Sequence, residues 1–331
     1  MSRAQLGIPG LDSALEASLI SDMARVEELL RSHIVGKYPL VIETSRHLVE
    51  AGGKRLRPLL TLLGAQFGTP GGEQVIQAAV VCELTHLATL YHDDVMDEAP
   101  LRRGVESANN RWGNTVAILT GDYLFAKTSA LLAGLGPEAV RIHAVTFERL
   151  VIGQIMETQG ATEGLSLLEH YTQVIADKTG SLIATSARYG AIFAGASPRD
   201  VDILTEYGEK IGILFQLADD IIDIASETAE SGKTPGTDLR EGVPTMVTVH
   251  ILESNDPADA ALKATLSAPI HDEAVVAATL KTLRTHKAME ISRKLLVQYA
   301  DEAKTLVAEL KDCPAKDALI SLCDAIITRT S

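Results

Sequence analysis

Three aspartates close the stretch Leu84 to Gly104, LTHLATLYHDDVMDEAPLRRG: Asp93, Asp94 and Asp97, followed at once by Arg102 and Arg103. A helix turns once every ~3.6 residues, so Asp93 and Asp97 share a face about 6 Å apart along the axis, with Asp94 beside them. The run before them is apolar, of the kind a core buries, and burying three carboxylates is costly unless a cation compensates them. Hard divalent cations suit oxygen ligands. Mg2+ in particular takes one or two carboxylates and completes its shell with water and phosphate oxygens. By itself the triplet also fits an acidic patch at a solvated helix end. A second copy weighs against that. Gly212 to Ser226, GILFQLADDIIDIAS, repeats the design with Asp219, Asp220 and Asp223 at the same spacing.

Cations stand near both motifs. Gly52 to Pro58 reads GGKRLRP, with Lys54, Arg55 and Arg57 in a glycine-led turn whose backbone can approach a ligand closely. Such a cluster suits a phosphate or diphosphate, or is a solvated basic turn. His86 lies seven residues before Asp93, two turns away on nearly the same face. Lys178 and Thr179 sit between apolar flanks, and Phe215-Gln216 precedes the second motif. The polar segment Ser226 to Pro244, with Lys233 inside it, reads as a lid that orders over an anionic ligand.

Composition narrows the classes. The 331 residues carry a formal net charge of −14, which argues against nonspecific nucleic-acid binding. Hydrophobic residues make up 46% and aromatics only 4%, so the core is aliphatic, as in helical proteins. Cys82, Cys313 and Cys323 form no CxxC pattern and read as reduced thiols of a cytoplasmic protein. No signal-peptide plan and no apolar run of membrane-spanning length is expected.

Helical periodicity runs over Ser13 to about Glu50, Pro58–Phe67, Glu73–Asp97, Thr115–Leu135, Pro137–Gly160, Leu165–Ala194 and Pro198–Ile224, and again from Thr245 onward. Glycine and proline clusters punctuate these runs. Strand-like alternation is not expected anywhere. No composition shift marks a boundary, so residues 1–331 are taken as one all-α domain. The last third offers no chemistry and reads as scaffold.

GGKRLRP, DDVMD with its trailing RRG, KTGSL (Lys178 to Leu182) and FQLADDIID with GKTPGTDL occur in an order that resembles the trans-isoprenyl diphosphate synthases, or polyprenyl synthetases. The resemblance extends from about Gly52 to Pro244. It implies helices surrounding a central cavity, a homodimer, and condensation of isopentenyl diphosphate with an allylic diphosphate. It also implies that Asp93, Asp97 and Asp219, supported by Asp94, Asp220 and Asp223, bind about three Mg2+ with the allylic diphosphate. Arg102, Lys178, Gln216 and Lys233 would grip that diphosphate, with Thr179 close by. Lys54, Arg57, His86 and Arg103 would hold isopentenyl diphosphate. Many members carry a second lid lysine in an EGKPT-like stretch, where this chain reads Glu241-Gly242-Val243-Pro244-Thr245.

Short-chain members place an aromatic floor one turn before the first motif. Ala88 and Thr89 stand there, about 6 Å below Asp93 at ~1.5 Å per residue. Small residues imply an open tunnel and a product longer than C20, of the quinone side-chain class, with peripheral membrane contact for its release. The competing readings are a shorter-chain synthase, a class I terpene cyclase and a non-catalytic subunit of a heteromeric synthase.

Overall fold

The computed structural model describes residues 6–161, 164–226 and 235–330. Sixteen α-helices make up most of them: α1 (Ser13–His33), α2 (Pro39–Glu50), α3 (Leu56–Gly64), α4 (Glu73–Met96), α5 (Ala108–Trp112), α6 (Asn114–Leu135), α7 (Pro137–Gln159) and α8 (Leu167–Ile175) lead. There follow α9 (Ser181–Phe193), α10 (Pro198–Ala225), α11 (Thr237–Glu241), α12 (Met246–Leu252), α13 (Ala260–Leu266), α14 (Glu273–Thr285), α15 (Lys287–Ala308) and α16 (Pro314–Thr328). The all-α expectation holds. The elements start where side-chain acceptors meet orphan amides: Asp12 caps α1, Ser166 and Glu169 form a capping box on α8, and Ser197 precedes Pro198 at α10.

Two local features escape the periodicity. Leu101–Arg102 and Val105–Glu106 pair as a two-residue antiparallel ribbon, turned through Arg103 and Gly104 at φ 55° and 77°. The run expected as one helix over 165–194 contains a π-helical turn, Ala176–Gly180, between α8 and α9. A π turn shifts every later side chain around the axis, and such turns recur at functional sites.

The bundle is organised around α9, which packs on α3, α4, α7 and α10. Its buried residues are mostly small, including Ser181, Ala184, Ala187 and Gly190. A Cβ on Gly190 would lie 1.9 Å from the Thr61 carbonyl oxygen of α3, and one on Gly64 would lie 2.5 Å from that of Ala187. Bare backbone at both positions lets α3 and α9 meet. By contrast α4 and α7 each pack on α6 and α9 but scarcely on each other, which leaves a gap between them.

Helix α6 departs from expectation. It is long and apolar enough to cross a membrane by length and composition, and more than half of its apolar stretch is not buried in the protein. One face packs on α4. The other, continuous with α7, exposes Leu119, Val145, Ile152 and Ile155.

Of the three cations in the glycine-led turn, Arg55 is turned inward. At φ 50° it opens α3, and its guanidinium donates to Glu27 at 2.5 Å, to Glu83 at 2.8 Å and to the Val49 carbonyl at 3.0 Å. It therefore ties α1, α2 and α4 together and is not a ligand group. Replacing it leaves Glu83, 2% exposed as a side chain, as a buried charge with only the long 3.9 Å contact to Arg103. Arg55→Met should cost about 3–5 kcal/mol in urea unfolding; a loss under 1 kcal/mol would contradict this structural role.

Candidate active site

The last turn of α4 delivers Asp93 and Asp94, and Asp97 forms its C-cap, with its amide donating to the Asp93 carbonyl at 2.8 Å. The Leu101–Glu106 ribbon then folds back over this end. Arg102 donates to Asp94 Oδ1 and reaches within 3.8 Å of Asp97. Asp94 is fully buried, and its Oδ2 has no hydrogen-bond partner. Burial pushes the Asp93 carboxyl up to about 6; Lys178 opposes the rise and Asp97 adds to it. Asp97 is also raised, by burial first, against Lys178 and Arg102.

The π turn supplies the opposite wall. It presents Lys178 and Thr179, and Lys178 pairs with Glu157 at the end of α7. Gly153 makes room for the turn, since a Cβ there would lie 2.5 Å from the Lys178 amide nitrogen. Behind the turn, Arg149 donates to Asp177 at 2.7 Å and also pairs with Glu209 of α10.

The second aspartate motif rides on the last turns of α10, but its members have different surroundings. Asp220 is buried, accepting from Tyr171 at 2.5 Å and from the Met246 amide and Gln216 Nε2, both at 3.1 Å. Burial pushes its carboxyl upward against these hydrogen bonds. Asp223 accepts from the amides of Thr237 at 3.2 Å and Asp238 at 3.4 Å, at the start of α11. Asp219 pairs with Arg329, at 2.9 Å. Glu241 feels Asp97 from one motif and Asp223 from the other, so it lies between the two; burial is the main cause of its raised pKa.

A third group surrounds His86. Burial drives this imidazole well below its ordinary range, and Arg57, Arg103 and Arg102 push it further, so it is neutral at pH 7. Arg57 Nε is buried without a hydrogen-bond partner. Arg103 is committed to the protein, donating to the carbonyls of Leu48 at 2.9 Å and Gly52. Gly53 sits at φ 137°, a conformation that favours glycine, with the Arg103 guanidinium close against it. Lys54 and Arg329 both lie over the Phe215 ring, at 5.4 and 5.1 Å.

The structure thus brings Asp93, Asp97, Arg102 and Lys178 together at one end, with Thr179 joined to Gln216 at 3.4 Å and Gln216 to Asp220. A cavity of about 360 Å3 adjoins them, lined by Glu157, Lys178, Thr179, Gln216, Asp220 and Val243. Val243 donates its amide to the Asp238 carbonyl at 2.9 Å and brings no charge to this wall. Lys233 lies outside the described residues. Of the two floor positions, Thr89 is on the Asp93 face, whereas Ala88 is fully buried with its carbonyl beside Gly121 of α6.

Sequence reasoning missed Glu157, Glu241 and Arg329. Nothing in their spacing set them apart, and the last comes from the third of the chain read as pure scaffold. Among the described residues no three His, Cys, Asp or Glu side chains converge into a ready-made metal shell. Asp94, Asp219, Asp220 and Asp223 are already engaged by protein donors, and Asp97 repels Asp93. The donor set still fits a hard cation: it is all oxygen, it includes the orphan Asp94 Oδ2, and burial raises the Asp93 carboxyl to about 6, a cost that a bound cation would relieve.

Residues 38–283 match the family described as polyprenyl synthetase. A nonaprenyl diphosphate synthase of Mycobacterium tuberculosis is 47% identical over 319 residues, covering 96% of this chain and 95% of that protein. A geranylgeranyl pyrophosphate synthase of Corynebacterium glutamicum, solved with calcium and isoprenyl diphosphate, superposes with a TM-score of 0.87 at 43% identity over 96% of this chain and 98% of its own. A decaprenyl diphosphate synthase of Rhodobacter capsulatus gives 0.88 at 33% identity over 96% and 99%. Likeness at this identity over nearly the whole length extends the motif resemblance to the entire fold, and the chain belongs to the polyprenyl synthetase family.

Proposed function

We propose that this protein is a trans-prenyltransferase that condenses isopentenyl diphosphate head-to-tail with an allylic diphosphate, giving a polyprenyl diphosphate longer than C20. The observation that carries the reading is the meeting of Asp93 and Asp97 on α4 with Lys178 on the π turn, next to Thr179 and Gln216, which reach Asp220 of the second motif. The relatives named nonaprenyl and decaprenyl synthases support the product class.

Asp93, Asp97 and Asp219 are the carboxylates we assign to Mg2+, about three ions per site, with Asp94, Asp220 and Asp223 positioning them. Bound Mg2+ would neutralise charge on the departing diphosphate. Lys178, Arg102 and Gln216 edge the same space and stabilise that leaving group as the allylic C–O bond ionises, with Thr179 holding Gln216 and Lys233 closing from the lid. The isopentenyl double bond attacks the allylic cation, and a proton leaves to the released pyrophosphate. Lys54 and Arg57 hold isopentenyl diphosphate. Neutral His86 offers it a hydrogen bond without adding charge, and Arg103 fixes the glycine loop beneath it. The apolar helices exclude water that would quench the cation.

The exposed apolar face of α6 and α7 supports a homodimer, and its extent suits an interface better than solvent. A cytoplasmic enzyme with peripheral membrane contact completes the proposal.

The deciding assay is incubation with radiolabelled isopentenyl diphosphate, farnesyl diphosphate and Mg2+, with chain length read after dephosphorylation. A ladder passing C20 is expected, and absence of label in any allylic product from folded enzyme sinks the proposal. Thr89→Phe should shift the main product to C20 or below, because the ring would stand one turn under Asp93. Asp93 must be ionised to bind a cation, so Mg2+ affinity should fall as pH drops through about 6. Calorimetric titration at pH 7 and 5.5 tests this: Asp93→Asn should be weak at both, and an equal pH response in the variant would discount Asp93.

A further inference from the structure

Arg149, Gly153 and Glu157 recur every four residues on α7, and each of them meets the π turn. Arg149 donates to Asp177 at 2.7 Å and to the Ala176 carbonyl at 3.5 Å, and also pairs with Glu209. Gly153 brings the α7 backbone against the Lys178 amide, where a Cβ would lie 2.5 Å from the nitrogen. Glu157 accepts from Lys178 Nζ through Oε2, and Gln154 Nε2 donates to the same oxygen at 3.3 Å. The close approach at Gly153 fixes the spacing of the two segments, so the Glu157–Lys178 pair is built into the fold.

Lys178 has other anions within reach. Asp93 and Asp97 both feel its positive charge, and both feel the opposing charge of Glu157. Glu157, Lys178, Thr179 and Gln216 share the wall of the cavity of about 360 Å3. Neither partner is buried outright: the side chains are 30% exposed for Lys178 and 24% for Glu157, so a ligand can reach both. A lysine ammonium is a compact charge on a flexible stem. A diphosphate that draws it away from Glu157 acquires a second, unpaired negative charge as its neighbour.

We propose that Glu157 is a positioning residue that competes with a bound diphosphate for Lys178, so that pyrophosphate is given up after each condensation and not retained. The inference rests on the prenyltransferase reading and adds the means by which its inorganic product leaves. Each condensation breaks one allylic C–O bond and leaves one pyrophosphate in the site. A chain longer than C20 requires that departure to be repeated before every further addition. Holding the released diphosphate more tightly slows turnover wherever release limits it. Glu157 opposes that retention, and with the site empty it keeps Lys178 at the cavity wall for the next diphosphate.

Calorimetric titration with inorganic pyrophosphate in the presence of Mg2+ tests the competition. Glu157→Gln keeps the size and removes the charge, and should bind pyrophosphate about five- to thirtyfold more tightly, the range of one partly exposed charged hydrogen bond. Added pyrophosphate should inhibit the ladder assay of this variant more strongly by the same factor. In a Lys178→Gln background the substitution should tighten binding less than about threefold, because the contested charge is gone; an equal gain there overturns the competition. If Glu157→Gln does not fold, Glu157→Asp, which draws the carboxylate back by one methylene, decides: tighter binding supports the competition and wild-type affinity overturns it. A purely structural pair would lower the melting temperature and leave pyrophosphate affinity unchanged or weaker, and that result from folded Glu157→Gln overturns this inference alone. No incorporation by the wild-type enzyme overturns the prenyltransferase reading and this inference with it.

Discussion

The site answers to one electrostatic constraint: carboxylates gathered at the ends of apolar helices, two of them, Asp94 and Asp220, buried away from the water that would relieve their charge. Asp93 is driven toward neutrality, and Asp94 is buried outright with one oxygen unpartnered. The fold answers with positive charge from segments that are distant in the chain or looped back. Arg102 returns on a short ribbon, Lys178 arrives on a π turn, and Arg329 comes from the last residues. Each cation leaves part of the charge uncompensated, and that remainder suits a site for a cation and a diphosphate.

Holding opposed charges at this distance requires a rigid frame, which α9 provides. Its small residues let α3 pack backbone against backbone, so the helices around the site are positioned by steric contact. Directly above, the π turn is clamped from behind by Arg149, Asp177 and Glu209, so Lys178 and Thr179 face the aspartates.

Much of this was legible in the chain. The two aspartate motifs, the GGKRLRP turn and Lys178-Thr179 were recognisable because their residue types are anomalous where they occur. Charges inside apolar helical runs stand out against period and composition. Helix boundaries were legible to within a few residues wherever glycine, proline or a capping side chain marked them. The π turn was not, because its residues keep helical periodicity and only the hydrogen-bond register changes. Nothing in the chain set Arg55 apart from the basic cluster around it, although its left-handed backbone turns it inward to Glu27 and Glu83.

The sequence by itself determined the class of chemistry, since spacing within one helix places carboxylates on one face whatever surrounds it. It also determined the all-α architecture through period and composition. Tertiary structure alone decided the division of labour. Asp220 became a buried acceptor for Tyr171 while Asp219 stayed within reach of Arg329, and Ala88 was buried with its carbonyl against α6. Arg329 joined the site from a segment with no motif. These outcomes depend on which helices become neighbours, and contacts between residues far apart in the chain leave no periodic trace in it.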